Sequence, residues 1–366
     1  MTVERRETNA EKTPALRTLF GLERLPLAPC RVSVEVRGVP TAVINALRRV
    51  VTDEMPGHAL KVPPDGFKSE LTSELFMTPQ FVNGRIELLR LRPQIPADVA
   101  ATLRLKLDVT NSTATLMMVH AGDLQVSAGS MPEALFNPTT PLAFLQPGMR
   151  IVIDGIYVST GYGRDHGMYN VASLAAYTHL DLEQYSDAEQ REEDGPAVDL
   201  SGYKASCLVA DPKHHRLTAT IPATTPDTAE VRAIFADACA NVKERLRLIA
   251  TTVERRAESS SAGFAHRGVQ FTVVQLEGGV SEGILQIPGE TYTIGELVRR
   301  TVFDLTPELV NVTYVIVAHE NKLVLTIRHT EDVVRVLSRA IQFAIGTFDE
   351  LQRGVMGAPM AAVGAE

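Results

Sequence analysis

The chain has 366 residues, of which 45% are hydrophobic and 22% are charged, which is the composition of a folded protein with room for two or three domains. Its formal net charge of −8 argues against a broad duplex-binding surface, because neutralising phosphates requires a basic field. The three cysteines, Cys30, Cys207 and Cys239, are too scattered to predict a disulfide framework. No apolar run approaches a membrane span, and the first residues lack the apolar core of a signal peptide.

The first predicted elements along the chain are a flexible tail, a strand and an amphipathic helix. Residues 1–26 are polar and charged with little periodicity, and we expect them to be mobile. Residues 31–37 alternate strictly between apolar and polar types, which predicts a half-buried strand. Residues 42–60 place valines and a leucine at helical spacing, and Pro56 with Gly57 ends this helix.

This first helix carries two adjacent arginines. Asn45, Arg48 and Arg49 lie outside its apolar stripe. Arginine offers planar, bidentate donors, so the pair is a candidate contact for a partner's carboxylates or backbone carbonyls. The pattern alone fits a solvated surface helix equally well.

The middle of the chain is predicted to be mostly β. Residues 101–109 and 114–119 have strand composition and predict a pair joined by a turn at Asn111 and Ser112. Residues 150–157 predict a further strand.

Residues 161–169, Gly-Tyr-Gly-Arg-Asp-His-Gly-Met-Tyr, form the second conspicuous motif. Arg164, Asp165 and His166 stand side by side between glycines, a grouping that suggests catalysis. Neighbouring side chains on an extended chain point to opposite faces, so Asp165 and His166 are poorly placed for joint acid–base work. Alternate glycines favour a tight structural or contact loop.

An acidic connection, a strand and a long helix follow. Residues 181–199 are acidic and predict an exposed connection. Residues 216–221 predict a strand that returns to the first module. Residues 229–256 predict a long helix whose apolar residues follow a near-heptad course.

The last part of the chain is predicted to begin with a polar linker, residues 259–268. Strands are predicted over residues 269–276, 284–287, 310–317 and 322–329. Thr293 and Glu296 have the spacing of a capping box in front of a helix. Thr330 is expected to cap a closing helix, and residues 353–366 are expected to form a second flexible tail.

The helix of this last part repeats the first arginine-bearing helix. Residues 296–307 align without a gap on residues 45–56, so that Arg299 and Arg300 coincide with the first arginine pair. A repeat at this distance predicts two duplicated modules rather than a solenoid, which would show many short periods. Two copies of one module in a chain often form an internal pseudo-twofold pair.

Asn-Ala-Leu-Arg-Arg at residues 45–49, followed by Met-Pro-Gly at residues 55–57, resembles the first helix of the bacterial RNA polymerase alpha subunit and its archaeal and eukaryotic counterparts. Residues 291–305 are similar to the corresponding helix of the smaller partner, archaeal subunit L or the eleventh subunit of RNA polymerase II. The chain thus resembles the two alpha-like subunits (archaeal D and L, eukaryotic third and eleventh) fused end to end. Such fusions suggest a large DNA virus.

Two further segments bear on this resemblance. Arg85 matches an arginine of the relatives, and residues 161–169 resemble their Gly-x-Gly-Lys-Asp-His-Ala loop, with Arg164 in place of lysine. Many archaeal and eukaryotic relatives hold a cysteine-rich metal site in the middle region. No cysteine lies between Cys30 and Cys207 here, so such a site cannot be built, and Cys207 with His214 and His215 lacks the four ligands that another site would need. Neither a metal nor a cofactor is expected.

The resemblance implies an α+β fold with two alpha-like dimerisation modules, each an antiparallel sheet plus helices, arranged as a pseudo-twofold pair with a mostly β insert domain. The predicted division is a tail (1–26), a first module (27–60 and 213–258), an insert domain (61–212), a linker (259–268), a second module (269–352) and a tail (353–366). In the family, the long helices are core and dimer seam together. The expected seam residues are Phe235, Val242, Leu246, Ile249, Leu337, Ile341, Ile345 and Phe348.

The function that the resemblance implies is a non-catalytic assembly platform of a DNA-dependent RNA polymerase. Its expected partners are the two large catalytic subunits and small accessory subunits, with no direct nucleic-acid contact and no membrane. The residues expected to bind these partners are Asn45, Arg48, Arg49, Arg85, Arg164, Asp165, His166, Arg299 and Arg300. A viral polymerase would place the chain in the virion and the host cytoplasm or nucleus, and a cellular one in the nucleus.

Two other classes of function stay open at this point. One is a stand-alone enzyme that uses Arg164, Asp165 and His166, although no nucleophile is paired with them. The other is a free-standing regulator that binds duplex DNA, which the charge of −8 disfavours.

Overall fold

The computed structural model describes residues 2–5, 28–68, 78–132, 134–180, 213–223, 228–258, 263–306 and 311–357. Its strands are β1 (Thr2–Arg5), β2 (Ala28–Arg37), β3 (Pro56–Lys61), β4 (Arg104–Thr110), β5 (Met117–His120), β6 (Leu124–Ala128), β7 (Pro141–Leu145), β8 (Arg150–Tyr162), β9 (Leu174–His179), β10 (His214–Ala223), β11 (Gly263–His266), β12 (Val269–Gln275), β13 (Ser281–Pro288), β14 (Asn311–Val317) and β15 (Lys322–His329). Its α-helices are α1 (Thr41–Arg49), α2 (Pro79–Glu87), α3 (Ala97–Thr102), α4 (Thr228–Glu258), α5 (Tyr292–Leu305) and α6 (Val333–Gly357). This mixture of helices and antiparallel sheets confirms the predicted α+β class.

The first sheet has the antiparallel order β1-β2-β10-β9. Strand β2 alternates as its sequence predicts, with Val32, Val34 and Val36 buried beneath the helices. Two differences from the predicted domain limits appear here. Strand β1 lies within the predicted flexible tail and pairs with β2. Strand β9 pairs with β10, so it belongs to this sheet rather than to the predicted insert domain.

The first arginine-bearing helix is shorter than predicted. α1 runs into one π-helical turn over Val50–Glu54, and Met55 is already extended. The next residues form β3, so the prediction of helix up to residue 60 was wrong beyond Glu54. Pro56 explains the change, because its ring cannot continue the helix.

The insert domain has its own core, a sheet of order β3-β8-β4-β6 and a separate antiparallel pair, β5-β7. Its predicted strand over residues 101–109 begins only at Arg104, since the preceding residues form α3. The predicted partner is also different: β4 pairs with β6 and β8, whereas β5 pairs with β7. The predicted acidic connection at residues 181–199 lies outside the described residues.

The second sheet has the antiparallel order β11-β12-β13-β15-β14. Strand β11 lies in the predicted linker, and α6 extends to Gly357, inside the predicted second tail. The predicted capping box is wrong, because Thr291 is the N-cap of α5 and accepts from the Thr293 amide. For α6, Asp332 rather than Thr330 accepts a hydrogen bond at the start of the helix, from the amide of Val334.

The two modules share one hydrophobic core, and the long helices α4 and α6 pack against each other within it. All eight expected seam residues are buried there. Phe235, Val242, Leu246, Ile249, Leu337, Ile341 and Phe348 are at most 1% exposed, and Ile345 is 8% exposed. The arginine-bearing helices α1 and α5 also contact each other. No helix in the described part of the chain combines the length and apolar character that a membrane crossing requires.

Candidate assembly interface

The arginines of α1 are partly exposed and held by short intramolecular contacts. Arg48 donates from Nε to the Asn45 Oδ1 atom at 3.0 Å. Arg49, whose side chain is 31% exposed, places Nε 3.5 Å from the Glu54 Oε1 atom. Within the described residues, the terminal nitrogens of Arg48 have no hydrogen-bond acceptor and are available to a partner.

The arginines of α5 repeat this arrangement. Arg299 donates from Nε and Nη2 to the two oxygens of Glu296, at 2.8 and 2.7 Å. Arg300 Nε lies 3.1 Å from the Asp304 Oδ1 atom. In both helices the first arginine of the pair is therefore oriented by the side chain three residues before it, which fixes the guanidinium planes.

A buried ionic network joins the two modules next to these helices. Arg245, on α4, donates from Nη1 to the Glu54 Oε2 atom at 2.7 Å, and from Nε to the Glu290 Oε1 atom at 2.9 Å. The other Glu54 oxygen accepts from the hydroxyls of Thr291 and Thr293, at 2.8 and 2.5 Å. Glu54 and Arg245 come from the first module and the other three residues from the second, so the network ties the halves together.

Glu54 is ionised in this network although only 1% of its side chain is exposed. Burial by itself would raise its pKa, but the charge of Arg245 and the hydrogen bonds from Thr293, Arg245 and Thr291 outweigh burial and hold the pKa below its ordinary value. Every carboxylate oxygen of Glu54 has a donor, which is the condition under which a buried charge is tolerated.

A second ion pair spans the helix seam. Lys243, on α4, has a side chain only 8% exposed and places Nζ 2.5 Å from the Asp349 Oδ1 atom on α6. The hydrogen bond from Lys243 lowers the pKa of Asp349. One turn before Lys243, burial raises the pKa of the Cys239 thiol to about 12, so this cysteine is an inert core residue.

The loop at residues 161–169 packs at the junction of both modules. The Arg164 amide donates to the Asp53 carbonyl at 3.0 Å, at the end of the π-helical turn, and its side chain donates to the Gly289 carbonyl at 3.2 Å, just before α5. Asp165 lies in an exposed turn, and His166, which follows the turn, is exposed with an extended backbone. His166 Nδ1 accepts from the Met168 amide at 3.3 Å, which is a capping role.

Close packing requires Gly57 of β3 and two glycines of this loop, Gly161 and Gly163, whereas a Cβ at Gly167 would meet nothing within 4 Å. A Cβ atom at Gly57 would lie 1.8 Å from the Tyr169 carbonyl oxygen, and one at Gly161, paired with Gly57, would lie 2.5 Å from the Tyr169 ring. The Tyr169 hydroxyl is 2.9 Å from the Ser159 Oγ atom, which holds the ring over Gly161.

Gly57→Ala should lower the free energy of unfolding by about 1–3 kcal/mol, because backbone must move to admit the methyl group. Gly84→Ala is the matched control, since a Cβ there meets nothing within 4 Å. In the interior of α2 this control should be neutral or stabilising by up to about 1 kcal/mol. Urea unfolding of both variants measures the difference, and equal effects would contradict the packing argument.

Arg85 is not brought together with the other predicted partner-binding residues. It lies on α2 of the insert domain, where it donates to the Pro141 carbonyl at 3.0 Å and stacks over the Phe81 ring at 5.0 Å. It therefore orders the insert domain locally, while the partner-binding role predicted for it stays a prediction.

Sequence reasoning missed the network of Glu54, Arg245 and Glu290. Arg245 lies 191 positions from Glu54 and 45 positions from Glu290, and each residue alone has the pattern of a solvated surface charge. In the described part of the chain, histidine, cysteine and carboxylate side chains form no group of three or more that could hold a metal ion.

Comparison with known proteins gives the family. No family model matches the chain. The DNA-directed RNA polymerase RPB3-11 homolog of African swine fever virus (strain Badajoz 1971 Vero-adapted) is 33% identical over 348 residues, which cover 93% of this chain and 92% of the relative. The homolog from isolate Tick/South Africa/Pretoriuskop Pr4/1996 matches to the same extent.

Archaeal subunits match a smaller part. DNA-directed RNA polymerase subunit Rpo3 of Aeropyrum pernix is 25% identical over 185 residues, which cover 47% of this chain and 63% of the relative. These relatives are polymerase subunits, and the alternative of a stand-alone enzyme using Arg164, Asp165 and His166 is set aside. The chain belongs to the RPB3-11 family, the fused alpha-like subunits of DNA-directed RNA polymerase, and is a non-catalytic subunit of that transcription complex.

Proposed function

We propose that the chain is the assembly platform of its polymerase and scaffolds the two large catalytic subunits, with small accessory subunits docking beside them. One observation carries the proposal: the two arginine-bearing helices, α1 and α5, pack against each other. Arg245 also links them, because it binds Glu54 just after α1 and Glu290 just before α5. Two copies of one docking element are thereby held at a fixed spacing, which suits a platform for two related partners.

The rigidity of this platform rests on the shared core. Packing α4 against α6 removes on the order of 1,500 Å² from water, which at about 25 cal/mol per Å² is tens of kcal/mol before chain entropy is subtracted. The pseudo-dimer is then one obligate unit within the chain. Its dimerisation residues are those of the seam named above.

The docking residues of the proposal are the partly exposed polar groups around these helices. Asn45 and Glu296 orient Arg48 and Arg299 for bidentate contacts. The exposed residues Arg164, Asp165 and His166 supply further polar contacts at the same junction. With a net charge of −8 the chain is expected to leave nucleic acid to its partners.

We also propose that the polymerase to which this chain belongs is encoded by a virus and works in the virion and the host cytoplasm. The support for this is the similarity to the homologs of African swine fever virus. Fusing both alpha-like subunits in one chain makes their pairing intramolecular, so the platform forms without depending on the concentration of a separate partner.

The combined variant Arg48→Ala and Arg299→Ala tests the platform. Within the described residues, the side-chain hydrogen bonds of both arginines stay within their own helices, so the variant should keep the wild-type Tm within a few degrees while recovering at least tenfold less of the large subunits in co-purification. Arg37→Ala is the control, because its side chain is 76% exposed on the outer face of the first sheet. Recovery of the large subunits at wild-type strength by the double variant would contradict the docking role.

A further inference from the structure

Among the described residues, β14 is the terminal strand of the second sheet. Its sequence, Asn-Val-Thr-Tyr-Val-Ile-Val, contains no charge, proline or glycine, and its pairing with β15 shows no bulge. Alternate amides and carbonyls of such a strand face away from the sheet. Proteins usually protect an edge of this kind with lysine, proline, a bulge or a short strand, and β14 has none of these devices.

The middle of the outer face beside this edge is uncharged, while Lys322 and the ion pair between Arg328 and Glu282 lie at its two ends. Val315, 60% exposed, lies opposite Val324, and Thr313 lies opposite Thr326. The exposed apolar surface next to the edge is therefore centred on Val315, in the middle of β14.

The edge is continuous with the proposed docking helix. The Tyr314 side chain of β14 lies beside Glu296, the carboxylate that holds Arg299. Its ring also contacts the ring of Tyr292, which is 54% exposed, in an edge-to-face arrangement at 6.2 Å. A partner seated on the arginines of α5 is therefore within reach of β14.

We propose that β14 accepts an extended segment of another polymerase subunit, which adds to the second sheet as a sixth strand. This inference rests on the proposed platform function, since the partner is the subunit that docks on α5. Main-chain hydrogen bonds supply the attachment, and side chains of the added strand pack beside Thr313 and Val315 on one face and Tyr314 on the other. The segment it fits is uncharged and rich in β-branched or aromatic residues.

Hydrogen–deuterium exchange of the full chain, free and within the assembled polymerase, tests the proposal. In the free chain, roughly half of the β14 amides should exchange fast, because only alternate amides bond to β15. In the polymerase the remaining amides should become protected. If a partner covers the face of the sheet without adding a strand, those edge amides should exchange as they do in the free chain, which would contradict the proposal.

A matched pair of variants gives a second readout. Val315→Lys places a charge on the edge strand, and Val274→Lys places the same charge on β12, at a side chain that is 42% exposed. Both should fold with an unchanged Tm. Val315→Lys should lower the yield of assembled polymerase at least fivefold, whereas Val274→Lys should stay within twofold of wild type.

The remaining outcomes separate this proposal from the platform function. A chain that assembles while its β14 amides exchange as in the free state overturns the strand addition alone. A chain that does not co-purify with the large subunits overturns the platform function and this inference with it. Protection of β14 in the free chain, together with a dimer in sedimentation, assigns the edge to a second copy and overturns the assignment to another subunit.

Discussion

Leu246→Asp, or Ile341→Asp, should abolish folding of the chain. Both side chains are fully buried in the core that the two modules share, on α4 and α6 respectively. Losing the apolar side chain costs about 2–5 kcal/mol, and an unpaired buried carboxylate adds several kcal/mol more. The sum approaches the whole stability of a typical domain, about 5–15 kcal/mol. Far-UV circular dichroism and the yield of soluble protein measure the loss.

Phe343→Asp is the control for this prediction, because its side chain on α6 is 48% exposed. It should change the free energy of unfolding by less than about 1 kcal/mol. Leu246→Ala gives a milder variant that folds, with an expected cost of about 2–5 kcal/mol in urea unfolding. A folded Leu246→Asp protein with nearly wild-type stability would show that α4 and α6 do not carry a common core.

Elements with strong local periodicity could be predicted from the sequence. The long helix expected over residues 229–256 is observed as α4, Thr228–Glu258, because its apolar stripe repeats over many turns. The ends of helices were predicted less well. Both Thr293 and Thr330 have the residue type of a cap, but the entry direction of the chain gives that role to Thr291 and Asp332.

Short strands without local signal were the main omissions. β1 and β9 pair with strands that are distant in sequence, whereas β11 pairs with β12 across the two-residue turn at Arg267 and Gly268. β9 is the clearest case, since it ends at His179 and its partner β10 begins only at His214. Nothing in six residues of Leu-Ala-Ala-Tyr-Thr-His identifies that partner.

The candidate site divides in the same way. The arginines at residues 48–49 and 299–300 were found because a repeat marks them, and a repeat is visible in sequence. The ionic network next to these arginines could not be found in this way, because Glu54 and Arg245 become partners only when α4 lies against the π-helical turn. The prediction that the loop glycines allow close approach holds for Gly161, which meets Tyr169, and for Gly163, which meets Asn170 and Asp53, but not for Gly167.

Arg245→Ala should lower the free energy of unfolding by about 3–5 kcal/mol. The variant leaves Glu54 and Glu290, whose side chains are 1% and 12% exposed, without their shared cation. Arg247→Ala, two residues further along the same helix at an exposed position, should cost less than about 1 kcal/mol.

In a double-mutant cycle, Arg245→Met combined with Glu54→Gln should be less destabilising than the sum of the single changes, because no uncompensated charge remains at that pair. Strict additivity would show that the two residues are not coupled.

The same network predicts how stability depends on pH. The pKa of Glu54 is lower in the folded chain than its ordinary value of 4.5, so the unfolded chain binds its proton first as the pH falls. The stability contributed by the Glu54 carboxylate is therefore fully present above pH 4.5 and is lost as the pH falls through the folded pKa. Urea unfolding of wild type and Glu54→Gln, from neutral pH down to about pH 3, should show a steeper acid loss in the wild type. The exposed carboxylates Glu35 and Asp349 also have lowered pKa values, but they contribute equally to both proteins and cancel in the difference. Parallel curves would mean that Glu54 is not held ionised by Arg245, and the link between the two modules would then rest on the apolar seam alone.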